Sequence, residues 1–559
     1  MLELLGLGLA AVAVICLLQL LANRTRLPAA ALLTAAGLVY ALLPGPNLTL
    51  DPHVILTLVI PPLIYSAALN ASLLGIRKNL RVVISLSIGL VLATALLVGV
   101  GLDLFVPGAG LAAGIALGAA VSPTDPVAAL AVGGRVGLPA RLITIIEGEG
   151  LLNDATALTT LTVAVTAATS GGFSLGDAVV RFVLAAAGGL VAGIIVGVAV
   201  RLVRSLLNDP VLVNCVSLVT PFAAYLLGQE AHVSGVLAVA VAGLMVGHDT
   251  PRYTSGASRL QVSAVWRLAD FLLEGFVFLL IGQQIGPVVR GLRAYPASTV
   301  AVAVAVTVGV VLLLRPLWLV ATQHLPGALR TRLGSGTRTR SGRAQSRPAQ
   351  SRPAQSRPAL SGREITVLSW AGTRGVISLA AIFTLPLTVD SGRPFPARDL
   401  LLFCTFVVVV VTLVGQGVTF GPIARALGVR ADPADAAELR NEVRAAAAQA
   451  GLDRLDQLAE DPELPAHELD GLRSTLETRL RRYAPAGDEA DGDDEGPEVS
   501  PAGSPGHEAV LDARRAVIDA EREELLRWRD AGRLPDTTLR VLERELDHEE
   551  RTFSARDGR

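Results

Sequence analysis

Ile145-Ile146-Glu147-Gly148-Glu149-Gly150-Leu151-Leu152-Asn153-Asp154-Ala155-Thr156 sets three carboxyls and an amide inside an apolar run from about Ala140 to Ala168. A run of that length crosses a bilayer as helix, which takes roughly 20 residues. A charged side chain near a helix centre costs about 2.5–3.5 kcal/mol on insertion scales. These groups therefore need partners, water or protons. At about 100° per residue, Glu147 and Asp154 share one face, and Glu149 and Asn153 share another. Asp154 lies about 13 residues beyond Arg141, roughly 20 Å at 1.5 Å per residue, which is near mid-membrane. Such an acid either sits in a structural ion pair or handles an ion.

The 559 residues are 51% hydrophobic and 17% charged, a mean over two populations. The chain is apolar to about residue 430 and then dense in Arg, Asp and Glu, so a polytopic membrane domain precedes a water-soluble tail. The net charge of -1 averages unlike parts and points to no partner. Cys16, Cys215 and Cys404 lack metal or disulfide spacing and read as small core residues. No His-rich or Cys-rich cluster suggests a metal or haem site, so no cofactor is expected and the chain is not read as an enzyme. No GxxxxGK[ST] stands between strand and helix, so an ion gradient is the expected drive.

Thirteen candidate spans lie near 2–21, 27–43, 54–69, 80–106, 109–133, 140–168, 177–203, 210–228, 234–247, 269–289, 297–321, 365–386 and 399–425. The first has Glu3 and no basic residue before it, with Arg24 and Arg26 after it, so a retained span is expected rather than a signal peptide. Alternate short loops carry the basic residues: Arg24 and Arg26; Arg77, Lys78 and Arg81; Arg135 and Arg141; Arg201 and Arg204; Arg252, Arg259 and Arg267. The positive-inside rule puts these loops and the tail in the cytoplasm and the N-terminus outside. Arg290 and Arg293 run against that trend.

Residues 329–363 include the repeat AQSRPAQSRPAQSRPA, whose Pro, Ser and Arg content predicts a disordered cytoplasmic loop. Topology and attraction to anionic lipid account for its arginines, so no nucleic-acid partner is expected. The division is 1–428 as transmembrane domain and 429–559 as cytoplasmic helical tail. Helical patterning in the tail recurs around 437–461, 467–483 and 508–551, interrupted by the acidic stretch 488–505.

Two spans contain what ordinary helices avoid. The fifth carries Ser122-Pro123-Thr124-Asp125-Pro126, whose prolines remove backbone donors and disfavour helix before them. The twelfth carries Gly372-Thr373-Arg374-Gly375. Irregular backbone at membrane depth is tolerated only where protein buries it or it lines a cavity. Transporters with inverted repeats place such broken helices at matching positions of their two halves. In that arrangement Asp125 offsets positive helix N-termini and Arg374 negative C-termini; two simple kinks are the plainer alternative.

SPTDPVAAL (Ser122–Leu130), GEGLLND (Gly148–Asp154) and SWAGTRGVISLA (Ser369–Ala380) resemble signature segments of the monovalent cation:proton antiporter-1 family, above all its bacterial sodium/proton exchangers. The resemblance covers about residues 1–425. It implies an all-α polytopic membrane protein with a core of two crossed broken helices, a dimerisation domain and a homodimer. It also implies that Asp154 binds cation and proton, that Asn153 precedes it, and that Thr124 and Asp125 stand at the crossing. Glu149 resembles the family's buried acid paired with an Arg, here Arg315 in LLLRPLWL. An Asn-Asp pair goes with electroneutral exchange in this family.

Three positions depart from the family pattern. Ser66 follows Pro61-Pro62 where some members have an acid, Ala155 stands where some have a Ser, and Thr373 stands where an apolar residue is common. The Na⁺, K⁺ or Li⁺ preference stays open. A hard cation takes oxygen ligands, and Asp154, the Thr124 hydroxyl, freed carbonyls and water supply them. If Asp154 holds a cation or a proton but not both, the two compete and are carried in turn. The expected role is exchange of a monovalent cation, Na⁺ first, for H⁺ at the cell membrane, in pH and sodium homeostasis. Glu147 is placed toward the inner mouth. The other readings are a transporter of another solute on the same fold, and a channel or transport-dead sensor.

Overall fold

Backbone polar groups in hydrocarbon must be paired within the protein, and helices do this segment by segment. The computed structural model describes residues 2–25, 28–41, 54–170, 175–207, 209–333, 360–460, 466–483 and 505–557. Among them the elements are helical apart from one isolated bridge, Thr388 with Pro394.

The chain opens with α1 (Leu2–Thr25), α2 (Ala29–Ala41) and α3 (Ile55–Asn70). A short α4 (Leu73–Lys78) leads into α5 (Leu80–Phe105). The fifth expected span is two helices, α6 (Leu111–Val121) and α7 (Pro126–Val136). Long helices follow: α8 (Ala140–Ser170), α9 (Leu175–Arg204), α10 (Pro210–Glu230), α11 (Gly235–Tyr253), α12 (Gly256–Gly291) and α13 (Ala297–Leu333). The twelfth expected span is again two pieces, α14 (Gly362–Trp370) and α15 (Val376–Phe383), and α16 (Arg398–Ala426) closes the apolar part.

Seven helices among the described residues are long and apolar enough to cross a membrane, within α1, α5, α8, α9, α10, α13 and α16; α2, α3 and α6 are shorter apolar helices. The remaining expected spans are interrupted (α7, α14, α15) or more polar (α11, α12). Leu104, Leu184, Leu313 and Leu317 are each at least 62% exposed. Large apolar side chains at that exposure suit lipid rather than water.

Close helix contacts rest on glycine, as expected where lipid gives no hydrophobic drive for association. A Cβ on Gly118 of α6 would lie 2.7 Å from the Ala95 backbone of α5, and one on Gly114 would lie 2.9 Å from Gly99. The core is centred on α8. Leu161 and Ala164 join one buried cluster with α5, α6 and α16, while Leu151 and Ala155 join another with α3 and α11.

Four helices form the tail: α17 (Pro433–Ala459), α18 (Ala466–Tyr483), α19 (Pro505–Asp530) and α20 (Asp536–Asp557). The expected run 508–551 is a hairpin, not one helix. Gly532 takes φ +71°, which favours glycine, and Pro535 stands just before α20. Most of the expected disordered loop 329–363, from 334 to 359, lies outside the described residues; its ends are helical, in α13 and in α14 with a Ser361–Glu364 capping box. The stretch 488–505 also lies outside them, except Pro505.

The hairpin docks on helix ends of the membrane part and the turn before α4. Ser72 Oγ donates to the Asp536 carboxylate, Lys78 Nζ to the Gly532 carbonyl (3.1 Å) and Arg529 Nη1 to the His248 carbonyl (3.1 Å). Arg252 pairs with Asp530 at 2.5 Å, and Arg259 grips Asp547 with two nitrogens.

Inside the tail, burial pushes the Glu521 carboxyl up to about 7; Arg479 pulls it down, Glu549 adds to the rise and Arg522 opposes it. A folded-state value above the ordinary one means the folded tail binds more protons between about 4.5 and 7, so its stability falls as pH rises through that window and levels off above it. Glu521→Gln removes the titration. Limited proteolysis of the full chain should find the Gln variant more resistant than wild type at about pH 8, with the difference shrinking toward about pH 5.

Candidate functional site

Each helix break leaves carbonyls and N–H groups without intrahelical partners. At the first break, residues 122–125 lie outside helix between α6 and α7, and the Asp125 carboxylate caps α7 by accepting from the Val127 N–H (2.9 Å). At the second, residues 372–375 separate α14 from α15. Gly375 caps α15, and a Cβ there would collide with the Asp125 carboxylate. One carboxylate thus faces the starts of two helices, where the dipoles favour negative charge.

The breaks hold each other directly. Asp125 N–H donates to the Thr373 carbonyl (2.7 Å), and Thr373 Oγ1 donates to the Asp125 carbonyl (2.8 Å). Arg374, 1% exposed, donates from Nε to the Val121 carbonyl (2.7 Å) and from Nη1 to the Gly372 carbonyl (2.8 Å). Its own N–H is taken by Thr412 Oγ1 (3.0 Å). The guanidinium therefore meets the C-terminal ends of α6 and α14.

The middle of α8 runs beside the breaks. Arg315 of α13 grips Glu149 with both terminal nitrogens, Nη2 at 2.9 Å from Oε2, while its Nε donates to the Leu368 carbonyl (2.9 Å). Both residues are 2% exposed. Thr124 Oγ1 donates to Glu149 Oε1 (3.0 Å) and accepts from Asn153 Nδ2 (2.8 Å). The order is Asn153 to Thr124 to Glu149 to Arg315. That leaves one lone pair on the Thr124 hydroxyl, and the Asn153 amide oxygen is buried without a partner.

Asp154 points elsewhere. It is buried, and among the described residues no hydrogen bond or ion pair engages its carboxylate. It lines a cavity of about 230 Å³ together with Thr124, Asp125, Glu147, Asp270 and Glu274. Among the described residues no basic side chain lines this cavity. Glu147, read from sequence as toward the inner mouth, is a wall residue of the same space, with Arg540 and Asp536 of the tail among the charges acting on it. Among the described residues no group of three or more His, Cys, Asp or Glu side chains is arranged to hold a metal ion. A transported cation would have to draw on single carboxylates, hydroxyls, carbonyls and water.

Sequence reading missed Asp270 and Glu274 of α12. They stand at i and i+4 before the apolar run Gly275–Gly282, and the reasoning applied to α8, that acids in a span need an explanation, reaches them equally. It also missed how Ser66 is used: its Oγ donates to Asp270 Oδ2 at 2.5 Å. Ala155, another of the three departures, is buried in the α3–α11 cluster.

Two docked helix breaks beside a buried acidic cavity, within a body of long apolar helices, define a multi-pass membrane protein of the ion-transporter class. The profile described as sodium/hydrogen exchanger, transmembrane, matches residues 10–426, and the chain belongs to that family. An uncharacterized Na⁺/H⁺ exchanger of Mycobacterium tuberculosis is 35% identical over 552 residues, covering 97% of this chain and 94% of that one. A sodium, potassium, lithium and rubidium/H⁺ antiporter of Bacillus subtilis is 30% identical over 69% of this chain and 56% of its own length. The solved sodium proton antiporter MjNhaP1 of Methanocaldococcus jannaschii, at pH 8, shares the fold with a TM-score of 0.58 at 18% identity, covering 76% of this chain and 98% of that one.

Removing one partner of a buried ion pair leaves an uncompensated charge, typically at a cost of about 3–5 kcal/mol. Arg315→Ala and Glu149→Ala should each reduce folded protein, and the double variant should lose less than the sum. A thermal-stability cycle checks this; additive losses would show that the pair is not energetically coupled.

Proposed function

We propose that this chain exchanges a monovalent cation, Na⁺ first, for H⁺ at the Asp154 carboxylate. The observation that carries the reading is an Asp154 carboxylate without a protein partner in a cavity whose described walls hold no basic group. Glu149 is gripped by Arg315, and Arg374 is spent on helix carbonyls. Asp154 is free to take either ion, so cation and proton compete for one charge and cross in alternate steps. Thr124 offers its remaining lone pair to the cation, while Asn153 and Glu149 orient Thr124.

Asn153 has no carboxyl proton to exchange, and Glu149 is engaged by Arg315. One carboxylate then swaps one cation for one proton, and the exchange is electroneutral. The names of the relatives, two of which include H⁺, support exchange of monovalent cations for protons. The wider reading has thirteen spans with α6–α7 and α14–α15 as crossed broken helices of inverted repeats. Residues 1–428 are the exchanger domain, and 429–559 are a cytoplasmic tail. The protein works as a homodimer in the plasma membrane, for pH and sodium homeostasis, without a cofactor. Tail docking on Lys78, Arg252 and Arg259, at helix ends that charge places inside, supports a cytoplasmic tail.

Asp154→Asn keeps the side-chain shape and removes the exchangeable proton. In everted vesicles it should abolish cation-dependent proton movement while the folded protein still reaches the membrane; normal exchange would remove Asp154 from this role. In proteoliposomes held at different membrane potentials, wild-type rates and end-points should not follow the potential. Dependence on potential would show net charge movement and defeat one-for-one exchange.

A further inference from the structure

A second, larger cavity of about 580 Å³ lies between the membrane part and the tail hairpin. Its walls carry both signs, Arg204 and Arg540 among the bases and Asp536 and Glu543 among the acids. The inner cavity around Asp154 has five wall carboxylates and, among the described residues, no base. Three residues line both spaces: Ser66, Asn70 and Asp270. They line the boundary where a passage between the two would run, from walls of mixed charge to walls whose charged groups, among the described residues, are all acids.

Asp270 is held at that passage. Ser66, 2% exposed, donates its hydroxyl to Asp270 Oδ2 at 2.5 Å, and Asn70 Nδ2 donates to the Ser66 carbonyl (2.9 Å). The other oxygen, Oδ1, is buried without a partner. Glu274 stands one helical turn farther along α12 and lines the inner cavity alone of the two. Ser378, 1% exposed with an unpartnered Oγ, lines that cavity as well. Anchored on one oxygen and, among the described residues, unpartnered on the other, Asp270 has the form of a ligand that meets a cation without collapsing onto a neighbour. A hard monovalent cation leaving water needs such an oxygen before it reaches Asp154.

We propose that Asp270, positioned by Ser66, is the receiving carboxylate of the exchange site: it takes the monovalent cation from the tail-side cavity and sets the apparent affinity on that side. This rests on Asp154 as the exchange carboxylate. It gives Asp270 a part in binding and none in the proton swap. Losing a group that only helps the cation to bind raises KM and leaves the maximal rate nearly unchanged.

The test is Na⁺-dependent collapse of a proton gradient, titrated with Na⁺, in vesicles bearing the full chain with its tail side outward. Asp270→Asn should raise KM for Na⁺ about ten-fold with the maximal rate within about two-fold of wild type. Asp270→Glu should return KM to near wild type. So should the exchanged pair Ser66→Asp with Asp270→Ser, which puts the carboxylate on the other side of the same hydrogen bond. Should Asp270→Asn fail to reach the membrane, Asp270→Ser is read in the same way. A wild-type KM in the charge-removing variant overturns the proposal. A fall in maximal rate at unchanged KM, shared by Asp270→Glu, assigns Asp270 a structural role and overturns it too. Asp154→Asn runs alongside: exchange surviving there sinks the underlying reading, whereas a dead Asp154→Asn with a normal Asp270→Asn sinks only this proposal.

Discussion

Two interruptions of helix inside an apolar body create the problem that the rest of this structure answers. Each buried backbone group left unpaired costs about 1–3 kcal/mol, and a break exposes several at once. Arg374 answers for the carbonyl ends, bonding Val121 and Gly372. Asp125 answers for the N-terminal ends, capping α7 and lying against Gly375 at the start of α15. Thr373 and Asp125 then close on each other, by one backbone bond and one from the Thr373 hydroxyl to the Asp125 carbonyl. Burying a guanidinium is expensive in isolation, yet here its charge meets helix-end dipoles and its N–H groups meet carbonyls. The opposite charges at the two breaks suit the opposite ends of the half-helices.

Once the breaks are paired, the remaining charges fall into two groups. Glu149, Arg315 and Arg374 have protein partners. Asp154, on another face of the same helix as Glu149, has none among the described residues. Helical rotation makes the division: residues 149 and 153 turn toward Thr124, while 147 and 154 turn toward the cavity. A single helix thus carries partnered side chains on one side and, among the described residues, an unpartnered carboxylate on the other.

What sequence made legible was whatever breaks a local rule. Pro123 and Pro126 forbid a continuous helix, glycines flank Arg374, and three acids in Ile145–Thr156 are too costly to be incidental. Those signals located both breaks and the face containing Asp154. The Arg315 partner of Glu149, 166 positions away, came from family resemblance because no local pattern encodes it. Asp270 and Glu274 stand at the start of the tenth candidate span, where a charge draws less notice than one at a helix centre. Only the fold, by bringing Ser66 within 2.5 Å of a residue 204 positions later, turns it into a cavity wall. In the tail, helical patterning over 508–551 does not show the turn, because amphipathic periodicity continues past it; Gly532 is the cue to the break.

The mutual grip of Asp125 and Thr373 joins residues 248 positions apart. That join is made through space, by two hydrogen bonds and a guanidinium, and owes nothing to the covalent thread between them. The repeat-bearing stretch between α13 and α14 is therefore relieved of any duty to hold the halves in register. A chain severed there would still have two pieces shaped to recognise each other, because the affinity between the halves is written in the breaks themselves.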